Sequence, residues 1–369
     1  MRVLMTGGGT AGHVNPALAI ANTIKENDPS SEIAFVGTPR GIENKLVPKA
    51  GYKLYHVDVM GLSRRLTLRN VKAAYLAATS PAKAKKLIRE FKPDIVIGTG
   101  GYVSWPVVKA AASMGIPTAL HESNAVPGMA VRMLSGAVNR IYLNFEAAGA
   151  GISQKEKLLL CGCPLITPPR NITKAEAREI LGIDNETVYV LSYGGSMGAE
   201  KVNEAILKVM KDVTGGRSGI YHTHATGAIE KEICFGAFSE MGLEKHENLQ
   251  LLEYIYDMPT RLAAADIVIC RAGAMTVSEL SMAGKCAVFI PSPNVTDDQQ
   301  FKNASVLSAK DAAYVLRENA EMPEKLCETV DMLISDPGKR WAMEEKIREF
   351  AMPDANKIIY NDILKLISK

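Results

Sequence analysis

The sequence predicts an α/β protein of two doubly wound, Rossmann-like domains that face a central cleft. Residues 3–21 and 188–206 carry this prediction, because each stretch has a short apolar run, a glycine-rich loop and the start of an apolar-periodic helix. Strands of a parallel sheet are buried on both faces, and they therefore appear as short continuous apolar runs that alternate with helices. A chain of 369 residues is long enough for two domains with separate cores.

Composition is that of an ordinary folded protein. Apolar residues make up 47% and charged residues 22%, and the net charge of +3 is too small to favour nucleic acid as a partner. We find no stretch of transmembrane length and no signal-peptide pattern, which favours the cytoplasm. The six cysteines lack metal-ligand spacing and several lie in apolar runs, so we predict reduced core residues.

The first glycine loop follows a strand predicted at Val3–Met5 and precedes a helix predicted to open at Pro16. The glycines Gly7–Gly9 and Gly12 allow backbone N–H groups to approach an anion closely, and the helix start adds a favourable dipole. His13 stands at the end of this loop, at the sheet edge where open α/β sheets bind ligands.

The pattern G-x-G-x-x-G from Gly7 to Gly12 also fits an NAD-type oxidoreductase. That function requires an acidic residue about twenty positions on, at the end of the second strand, to bind the ribose hydroxyls. The second strand is predicted at Ile33–Val36, and the first acid after it is Glu43. The oxidoreductase interpretation therefore lacks its ribose carboxylate.

The first half continues with a helix predicted at residues 42–50 and strands at 52–57, 92–98, 116–121, 140–143 and 158–161. Two of these strands are followed by polar loops, Gly100-Gly-Tyr-Val-Ser and His121-Glu-Ser-Asn124. With the first glycine loop they outline a cleft for a hydroxylated substrate, although glycine and Asx residues are also ordinary turn chemistry. A linker is predicted at residues 162–169.

Residues 64–92 carry nine basic side chains and a single acid, Glu90, with apolar residues interleaved. A basic, amphipathic stretch can bind an anionic membrane surface, where each nearby cation contributes on the order of 1 kcal/mol. A solvated helix face is the alternative, and the residues alone leave both open.

The second half repeats the alternation of strands and helices. Strands are predicted at residues 188–192, 220–227, 251–258, 265–270, 286–291 and 312–316, and helices at 175–181, 324–335, 339–350 and 355–367. A further helix is expected to open at Asp297. The last helix has an apolar stripe, which is typical of core packing.

Several side chains of the second half are candidate ligand contacts. The turn after residues 265–270 leads into a helix whose first N–H groups suit a phosphate, and Arg271 adds positive charge there. Glu279 lies on that helix, where a carboxylate can accept two ribose hydroxyl protons, unless it is a solvated surface residue. His222 and His224 have no third ligand with matching spacing, which disfavours a metal site.

Six motifs occur in order along the whole chain: GGTAGHxxPAL from Gly8, GGYVSxP from Gly100, HExN from His121, GGSxGA from Gly194, CRxGAxTVSE from Cys270 and DxQQxxNA from Asp297. Together they resemble the two-domain GT-B glycosyltransferases. Within that fold the sequence is similar to the transferases that add N-acetylglucosamine to the lipid-linked muramyl-pentapeptide of bacterial peptidoglycan.

The resemblance implies that UDP-N-acetylglucosamine binds the second domain, residues 164–345. Uracil is expected at the Ile255 backbone, the diphosphate at Ser196, Met275 and Thr276, the ribose at Glu279, and the sugar at Gln299 and Gln300. The full set of implied donor-binding residues is Thr10, Ala11, Gly12, Asn124, Ser196, Ile255, Arg271, Gly273, Met275, Thr276, Glu279, Gln299 and Gln300.

The resemblance also implies that undecaprenyl-diphospho-muramoylpentapeptide binds the first domain, residues 1–163 plus 346–369. The implied acceptor-binding residues are Gly9, Thr10, Gly12, His13, Gly100, Gly101, Tyr102 and Asn124. Family members meet the cytoplasmic membrane near the basic stretch, which favours a peripheral protein on the cytoplasmic face of the cell membrane.

The implied reaction is direct inverting transfer that gives a β-1,4 linkage, with no cofactor and no protein-bound metal. His13 is the candidate catalytic base, although it could instead orient the acceptor or bind pyrophosphate. Ala11 replaces a common glycine, which is a mild change if its φ is negative. Ile166 stands where an arginine is common, so the role of that arginine is not carried over.

Three other functions remain open at this point. A GT-B enzyme with another lipid acceptor, such as diacylglycerol, would release UDP with that acceptor. A UDP-sugar epimerase would release UDP without transfer to a polyprenyl acceptor. A nucleotide-binding regulatory protein would bind the donor without turnover, but it does not explain His13.

Overall fold

Two parallel β-sheets organise the computed structural model, which describes residues 1–60, 68–166 and 172–368. Each sheet lies in its own compact unit. Unit 1 comprises Met1–Thr167 with Met352–Lys369, and unit 2 comprises Pro168–Ala351. The predicted fold class, two doubly wound α/β domains, is confirmed by this topology.

The sheet of unit 1 has the strand order β3-β2-β1-β4-β5-β6-β7, and all neighbouring strands are parallel. Its strands are β1 Arg2–Thr6, β2 Glu32–Gly37, β3 Lys53–His56, β4 Ile95–Gly98, β5 Thr118–Glu122, β6 Arg140–Leu143 and β7 Leu158–Leu160. The helices that connect them are α1 Ala11–Asn27, α2 Glu43–Lys49, α3 Leu68–Phe91, α4 Ser104–Ser113 and α5 Met129–Leu134.

The core of unit 1 covers both faces of its sheet. Leu4 packs with one buried cluster, while its neighbours Val3 and Met5 pack with another on the opposite face. A strand that is buried on both sides cannot alternate apolar and polar residues, which explains the continuous apolar run in the sequence.

Unit 2 is built in the same way, with the strand order β10-β9-β8-β11-β12-β13. Its strands are β8 Val188–Tyr193, β9 Ile220–Ala225, β10 Leu249–Leu252, β11 Ile267–Cys270, β12 Cys286–Phe289 and β13 Ala313–Val315. Its helices are α6 Lys174–Leu181, α7 Glu200–Val209, α8 Lys231–Glu240, α9 Met258–Ala264, α10 Ala274–Ala283, α11 Gln299–Ser308, α12 Met322–Ser335 and α13 Pro337–Arg348.

The last helix, α14 Ala355–Ile367, returns to unit 1. Its residues Ile359 and Ile363 are buried in the core there, which confirms the prediction that its apolar stripe is core. Asp362 anchors the helix, because its carboxylate lies 2.8 Å from Arg140 Nε and accepts a hydrogen bond of 3.1 Å from the Tyr142 hydroxyl.

All six cysteines are free, and five of them are buried, as the sequence predicted. Among the described helices, none combines the length and apolar character needed to cross a membrane. Part of the basic stretch lies outside the described residues, namely residues 64–67 and the side chains of residues 68–74, 77 and 78; residues 61–63 before it lie outside them as well. The segment 167–171, within the predicted linker, also lies outside them.

Candidate active site

The first glycine loop leads into α1, which begins earlier than the sequence predicted. Thr10 is the extended residue that precedes the helix, and α1 begins at Ala11, so the expectation of a start at Pro16 is wrong. The N–H that Pro16 lacks would have bonded to the carbonyl of Gly12, an exposed residue that water can reach. His13 therefore lies in the first helical turn. Ala11 is helical, with the negative φ that makes it a mild replacement for glycine.

The His13 ring is held by the loop that precedes it. Nδ1 lies 3.0 Å from the Gly8 carbonyl oxygen and 3.2 Å from Thr10 Oγ1. Because a carbonyl oxygen only accepts, we assign the ring hydrogen to Nδ1 and the lone pair to Nε2. Burial lowers the pKa of His13, although the Gly8 hydrogen bond and the charge of Glu43 oppose this effect. A neutral imidazole with its lone pair at Nε2 can accept a proton near pH 7.

The second glycine loop, between β4 and α4, packs directly against the first. Gly100 and Gly101 have φ values of +112° and +79°, which favour glycine. A Cβ at Gly100 would lie 2.5 Å from His13 Cδ2, and a Cβ at Gly101 would overlap the Gly8 carbonyl oxygen. Tyr102 follows with 60% of its surface exposed. The structure thus brings together two of the loops that the sequence assigned to the acceptor.

The loop after β5 is held by a buried carboxylate. Glu122 accepts hydrogen bonds from the Asn124 N–H at 2.9 Å and from the Gly128 N–H at 2.7 Å. His121 is buried, its Nε2 lies 3.1 Å from the Gly162 carbonyl oxygen, and burial lowers its pKa to about 4. His121 therefore has a structural role, while Asn124 is fixed at the carboxyl end of the sheet.

In unit 2 the start of α10 offers backbone donors. Gly273 is the extended residue before the helix, and the first N–H groups of a helix have no intrahelical acceptor. The N–H groups at Met275 and Thr276 belong to this first turn, and with the helix dipole they form a site suited to a phosphate.

Arg271 lies close to this helix start but is paired within unit 2. Its Nη1 lies 2.6 Å from a Glu318 carboxylate oxygen and donates to the Ile290 carbonyl oxygen at 3.1 Å. The sequence suggested that Arg271 adds positive charge at this point, a role that stays a prediction. The structure adds an ion pair that holds Arg271 next to the strand ends.

Glu279 lies in the second half of α10, partly buried. Burial raises the pKa of its carboxyl group to about 7. Its charge also contributes to the raised pKa of Tyr193, for which burial is the largest cause, so Glu279 lies near the carboxyl end of β8. The alternative of a fully solvated surface glutamate does not fit this burial.

The glycine loop after β8 is held by close backbone contacts. Gly198 has φ +89°, and a Cβ there would overlap the Thr226 carbonyl oxygen. Ser196 is exposed, while its carbonyl accepts the Ala228 N–H at 3.2 Å. Ile255 follows β10 and is 4% exposed, so its side chain packs inside unit 2.

The two glutamines begin α11. Asp297 and Asp298 both have a φ of +54°, so the helix starts at Gln299 and not at Asp297 as the sequence suggested. Gln300 accepts a hydrogen bond of 2.8 Å from the Ser292 N–H, which ties the helix start to the loop that leaves β12. Both glutamines therefore lie at the carboxyl end of the sheet.

The pair His222 and His224 has a structural role. Ser192 Oγ lies 2.9 Å from His222 Nε2 and 2.9 Å from His224 Nδ1, while the outer ring nitrogens contact Thr214 and Asn203. Burial lowers the pKa of His222 to about 3 and that of His224 to about 4. In the described ranges no group of three possible ligands could hold a metal ion.

Sequence reasoning missed two carboxylates of these loops. Glu43 accepts a hydrogen bond of 3.0 Å from the Gly9 N–H, and Glu318 pairs with Arg271. The sequence showed Glu43 only as the first acid after the second strand. No local pattern predicts either pair, because folding joins residues that are distant along the chain.

Comparison with protein families gives matches over both units. The model of the glycosyltransferase family 28 N-terminal domain matches residues 3–143, and that of the family 28 C-terminal domain matches residues 187–359.

Two similar proteins are named UDP-N-acetylglucosamine–N-acetylmuramyl-(pentapeptide) pyrophosphoryl-undecaprenol N-acetylglucosamine transferase. The protein from Acetivibrio thermocellus is 39% identical over 369 residues, which cover 100% of this chain and 99% of that protein. The protein from Pediococcus pentosaceus is 38% identical over 371 residues, with full coverage of both chains.

Two solved structures are similar to this chain over nearly its whole length. The crystal structure of Acinetobacter baumannii MurG has a TM-score of 0.80 and 29% identity, and 99% of each chain is covered. A UDP-GlcNAc 2-epimerase from Neisseria meningitidis bound to UDP-GlcNAc has a TM-score of 0.67, with 99% of this chain and 100% of that chain covered. Its 14% identity shows a shared fold alone.

Proposed function

Because the chain belongs to glycosyltransferase family 28, we propose that it transfers N-acetylglucosamine from UDP-N-acetylglucosamine to the 4-hydroxyl of undecaprenyl-diphospho-muramoylpentapeptide, with inversion to a β-1,4 linkage, in peptidoglycan synthesis. One observation carries this conclusion. The chain is 39% identical, over the whole of its length, to a transferase whose name states this sugar and this acceptor.

The donor is proposed to bind unit 2. Support comes from the α10 start at Met275 and Thr276, whose N–H groups suit the diphosphate. Glu279, five residues after the start of α10 at Ala274, would accept the ribose hydroxyl protons as a carboxylate. Gln299 and Gln300 would bind the sugar hydroxyls without adding charge.

The acceptor is proposed to bind unit 1, with its pyrophosphate at the two glycine loops. Support comes from the packing of Gly100 and Gly101 against His13 and Gly8, which gives one continuous surface of backbone groups next to the imidazole. The α1 dipole adds a favourable field for an anion at this end of the helix.

His13 is the proposed general base. The acceptor 4-hydroxyl oxygen attacks the anomeric carbon from the face opposite UDP, and its proton passes to His13 Nε2. The bond between the anomeric carbon and the diphosphate oxygen breaks, and its electron pair leaves on UDP. Helix-start N–H groups and the hydroxyls of Ser196 and Thr276 would stabilise that developing charge.

The membrane surface is the proposed location of the reaction, because the acceptor carries a polyprenyl chain. We propose a peripheral contact with the cytoplasmic face through the basic stretch at residues 64–92. In its described part Lys83 lies 2.9 Å from Asp58, and Lys85, Lys86 and Arg89 add positive charge along α3. Attraction to anionic lipids would weaken as salt is raised.

The decisive experiment measures UDP release from UDP-N-acetylglucosamine with and without the polyprenyl-diphospho-muramyl-peptide acceptor, in the wild type and in His13→Ala. We expect release to depend on the acceptor and to fall by about 10²- to 10⁴-fold in the variant. Donor affinity, measured by calorimetry, should stay unchanged.

Two other outcomes would contradict the proposed function or the proposed base. Release that is independent of this acceptor in the wild type would contradict the proposed function and direct attention to another lipid acceptor or to epimerisation. An active His13→Ala enzyme would leave the transfer reaction standing but remove His13 as its base.

A further inference from the structure

A buried carboxylate lies beneath the first glycine loop and is not used by the mechanism above. Glu43 begins α2 and is 0% exposed. Its Oε1 accepts hydrogen bonds from the Thr38 N–H at 2.8 Å and from the Thr38 hydroxyl at 2.7 Å. Its Oε2 accepts a hydrogen bond of 3.0 Å from the Gly9 N–H. Glu43 therefore joins the end of β2 to the glycine loop that precedes His13.

The space around Glu43 is shaped by three glycines. A Cβ at Gly8 would lie 2.5 Å from Glu43 Oε1, and a Cβ at Gly37 would lie 2.5 Å from its Cγ. A Cβ at Gly41 would overlap the carboxylate itself. Residues from the β1–α1 loop and from the connection between β2 and α2 thus leave room for this side chain and for no additional one.

The Glu43 carboxyl is ionised at neutral pH. Burial alone would raise its pKa, but the hydrogen bonds from Thr38 and Gly9 lower the pKa by more. A negative charge is therefore held behind the loop. Among the described residues, Glu43 is the charged side chain whose field raises the pKa of the His13 ring. The other ring partners, the Gly8 carbonyl and the Thr10 hydroxyl, are neutral.

One peptide group connects Glu43 to His13. The carbonyl of Gly8 and the N–H of Gly9 belong to the same peptide. The N–H donates a hydrogen bond to Glu43 Oε2, and the carbonyl accepts one from His13 Nδ1. The donor–acceptor distance is 3.0 Å in both hydrogen bonds. The peptide bond is planar and delocalised, so a hydrogen bond at one end polarises the other.

We infer that Glu43 is a positioning residue of the transfer reaction. Through the Gly8–Gly9 peptide it holds the His13 ring with the Nε2 lone pair available to the acceptor hydroxyl, and it stabilises the imidazolium that forms there. The proton moves from the acceptor hydroxyl to Nε2, and Glu43 gains none. The inference rests on the proposed function and adds to it a carboxylate that acts through the backbone.

The first test compares Glu43→Gln with Glu26→Gln, which removes an exposed carboxylate from α1 of the same unit. Glu43→Gln keeps the shape but loses the charge. We expect its kcat to fall by about 10- to 100-fold with the KM for UDP-N-acetylglucosamine within about twofold of the wild type. The imidazolium loses stabilisation, so the acid limb of the pH–kcat profile should move to lower pH by about half a unit or more. Glu26→Gln should change neither.

The second test needs no turnover. Nitrogen-15 NMR of the wild-type enzyme, with His13→Gln used to assign the signal, should show a neutral His13 that carries its hydrogen on Nδ1. In Glu43→Gln the His13 titration midpoint should fall. The tautomer is measured in the wild-type enzyme alone. The test therefore still applies if the substitution Glu43→Gln destabilises the fold.

The two tests separate the inference from the proposed function. Hydrogen on Nε2 in the wild type, or an unchanged acid limb and kcat in Glu43→Gln, would overturn the relay even in an active transferase. An enzyme with the Nδ1 tautomer and a shifted titration that transfers no sugar would leave the relay standing and overturn the function.

Discussion

The ionisation of one side chain, Glu279, links burial to donor binding. Its carboxyl lies on α10 behind the proposed diphosphate site, and burial raises its pKa to about 7. The ionised form can accept a ribose hydroxyl proton at each of its two oxygens, whereas the protonated form carries a hydrogen on one of them. Donor affinity should therefore follow the protonation of this one group.

Lowering the pH from 8 to 6 should weaken UDP-N-acetylglucosamine binding to the wild type by about five- to tenfold, since the carboxyl takes up its proton near pH 7. Titration calorimetry at the two pH values measures this change, and the diphosphate diester of the ligand does not titrate in that range. Glu279→Gln should bind weakly at both pH values. Equal wild-type affinities at pH 6 and pH 8 would remove Glu279 from the ribose site.

The same raised pKa has a cost in stability. The folded carboxyl has a pKa of about 7 and the ordinary value for glutamate is 4.5, so the folded state holds the proton more tightly and loses stability as the pH rises from 4.5 to 7. Glu279→Gln should be more stable than the wild type at pH 8 by about 1–2 kcal/mol, less than the full shift implies because the side chain is partly exposed.

Urea unfolding at pH 8 and at pH 4.5 tests this expectation. The gain should be present at pH 8 and nearly absent at pH 4.5, where the wild-type carboxyl is protonated when folded. A variant that is no more stable at pH 8 would show that the carboxylate is already compensated in the free protein.

A lowered pKa does not by itself identify the catalytic histidine. Burial lowers the pKa of His121, His222 and His224 as well as that of His13. The first three rings are enclosed by hydrogen-bond partners in the core. His13 differs because its ring lies between two glycine loops at the end of the sheet.

At the scale of elements, the two glycine loops of unit 1 behave as one structure. Gly101 contacts the Gly8 carbonyl, and that same carbonyl accepts from His13. A side chain at position 101 would thus move the group that orients the imidazole. Gly115 offers a matched position, because its φ of +75° is close to the +79° of Gly101 but a Cβ there meets open space.

Gly115→Ala should cost about 1 kcal/mol of unfolding free energy from backbone strain alone. Gly101→Ala should cost about 2–4 kcal/mol, because its Cβ also displaces the Gly8 carbonyl. The rate of transfer should fall in Gly101→Ala and stay near the wild type in Gly115→Ala. Denaturant unfolding and kcat measure both effects, and equal values for the two variants would argue against coupled loops.

At the scale of the whole molecule, each unit has its own sheet and its own core, and the chain crosses from unit 2 back to unit 1 only for its last helix. α14 packs against α1 in unit 1 through Ile359 and Ile363. A ligand of unit 2 should therefore stabilise that unit against unfolding by mass action.

UDP at a hundred times its Kd should raise the opening free energy of β8–β13 by about 2.7 kcal/mol and leave that of β1–β7 unchanged. Native-state hydrogen exchange, read by peptide mass spectrometry in mild denaturant, resolves the two sheets. Equal protection of both sheets would mean that the units unfold together. Protection confined to unit 1 would contradict the placement of the donor.

The sequence by itself determined the fold class and the family. Apolar runs, glycine loops and helical periodicity are local patterns, and parallel sheets repeat them in a fixed order, so most strands of both sheets were predicted with small shifts of their ends. The prediction of a strand at residues 251–258 was wrong over most of its length, because β10 is Leu249–Leu252 and α9 begins at Met258. The ordered motifs indicated the glycosyltransferase family, which the family matches confirm. The roles of the individual site residues remain predictions.

Only the tertiary structure decided which side chains meet. Glu43 reaches the Gly9 N–H, Arg271 pairs with Glu318, and Ser192 lies between His222 and His224. Each contact joins residues that are far apart along the chain, and a hydrogen bond depends on distances of a few tenths of an ångström. Local patterns place such residues at an edge of a sheet, but only the packing of the whole unit selects the partner of each buried charge.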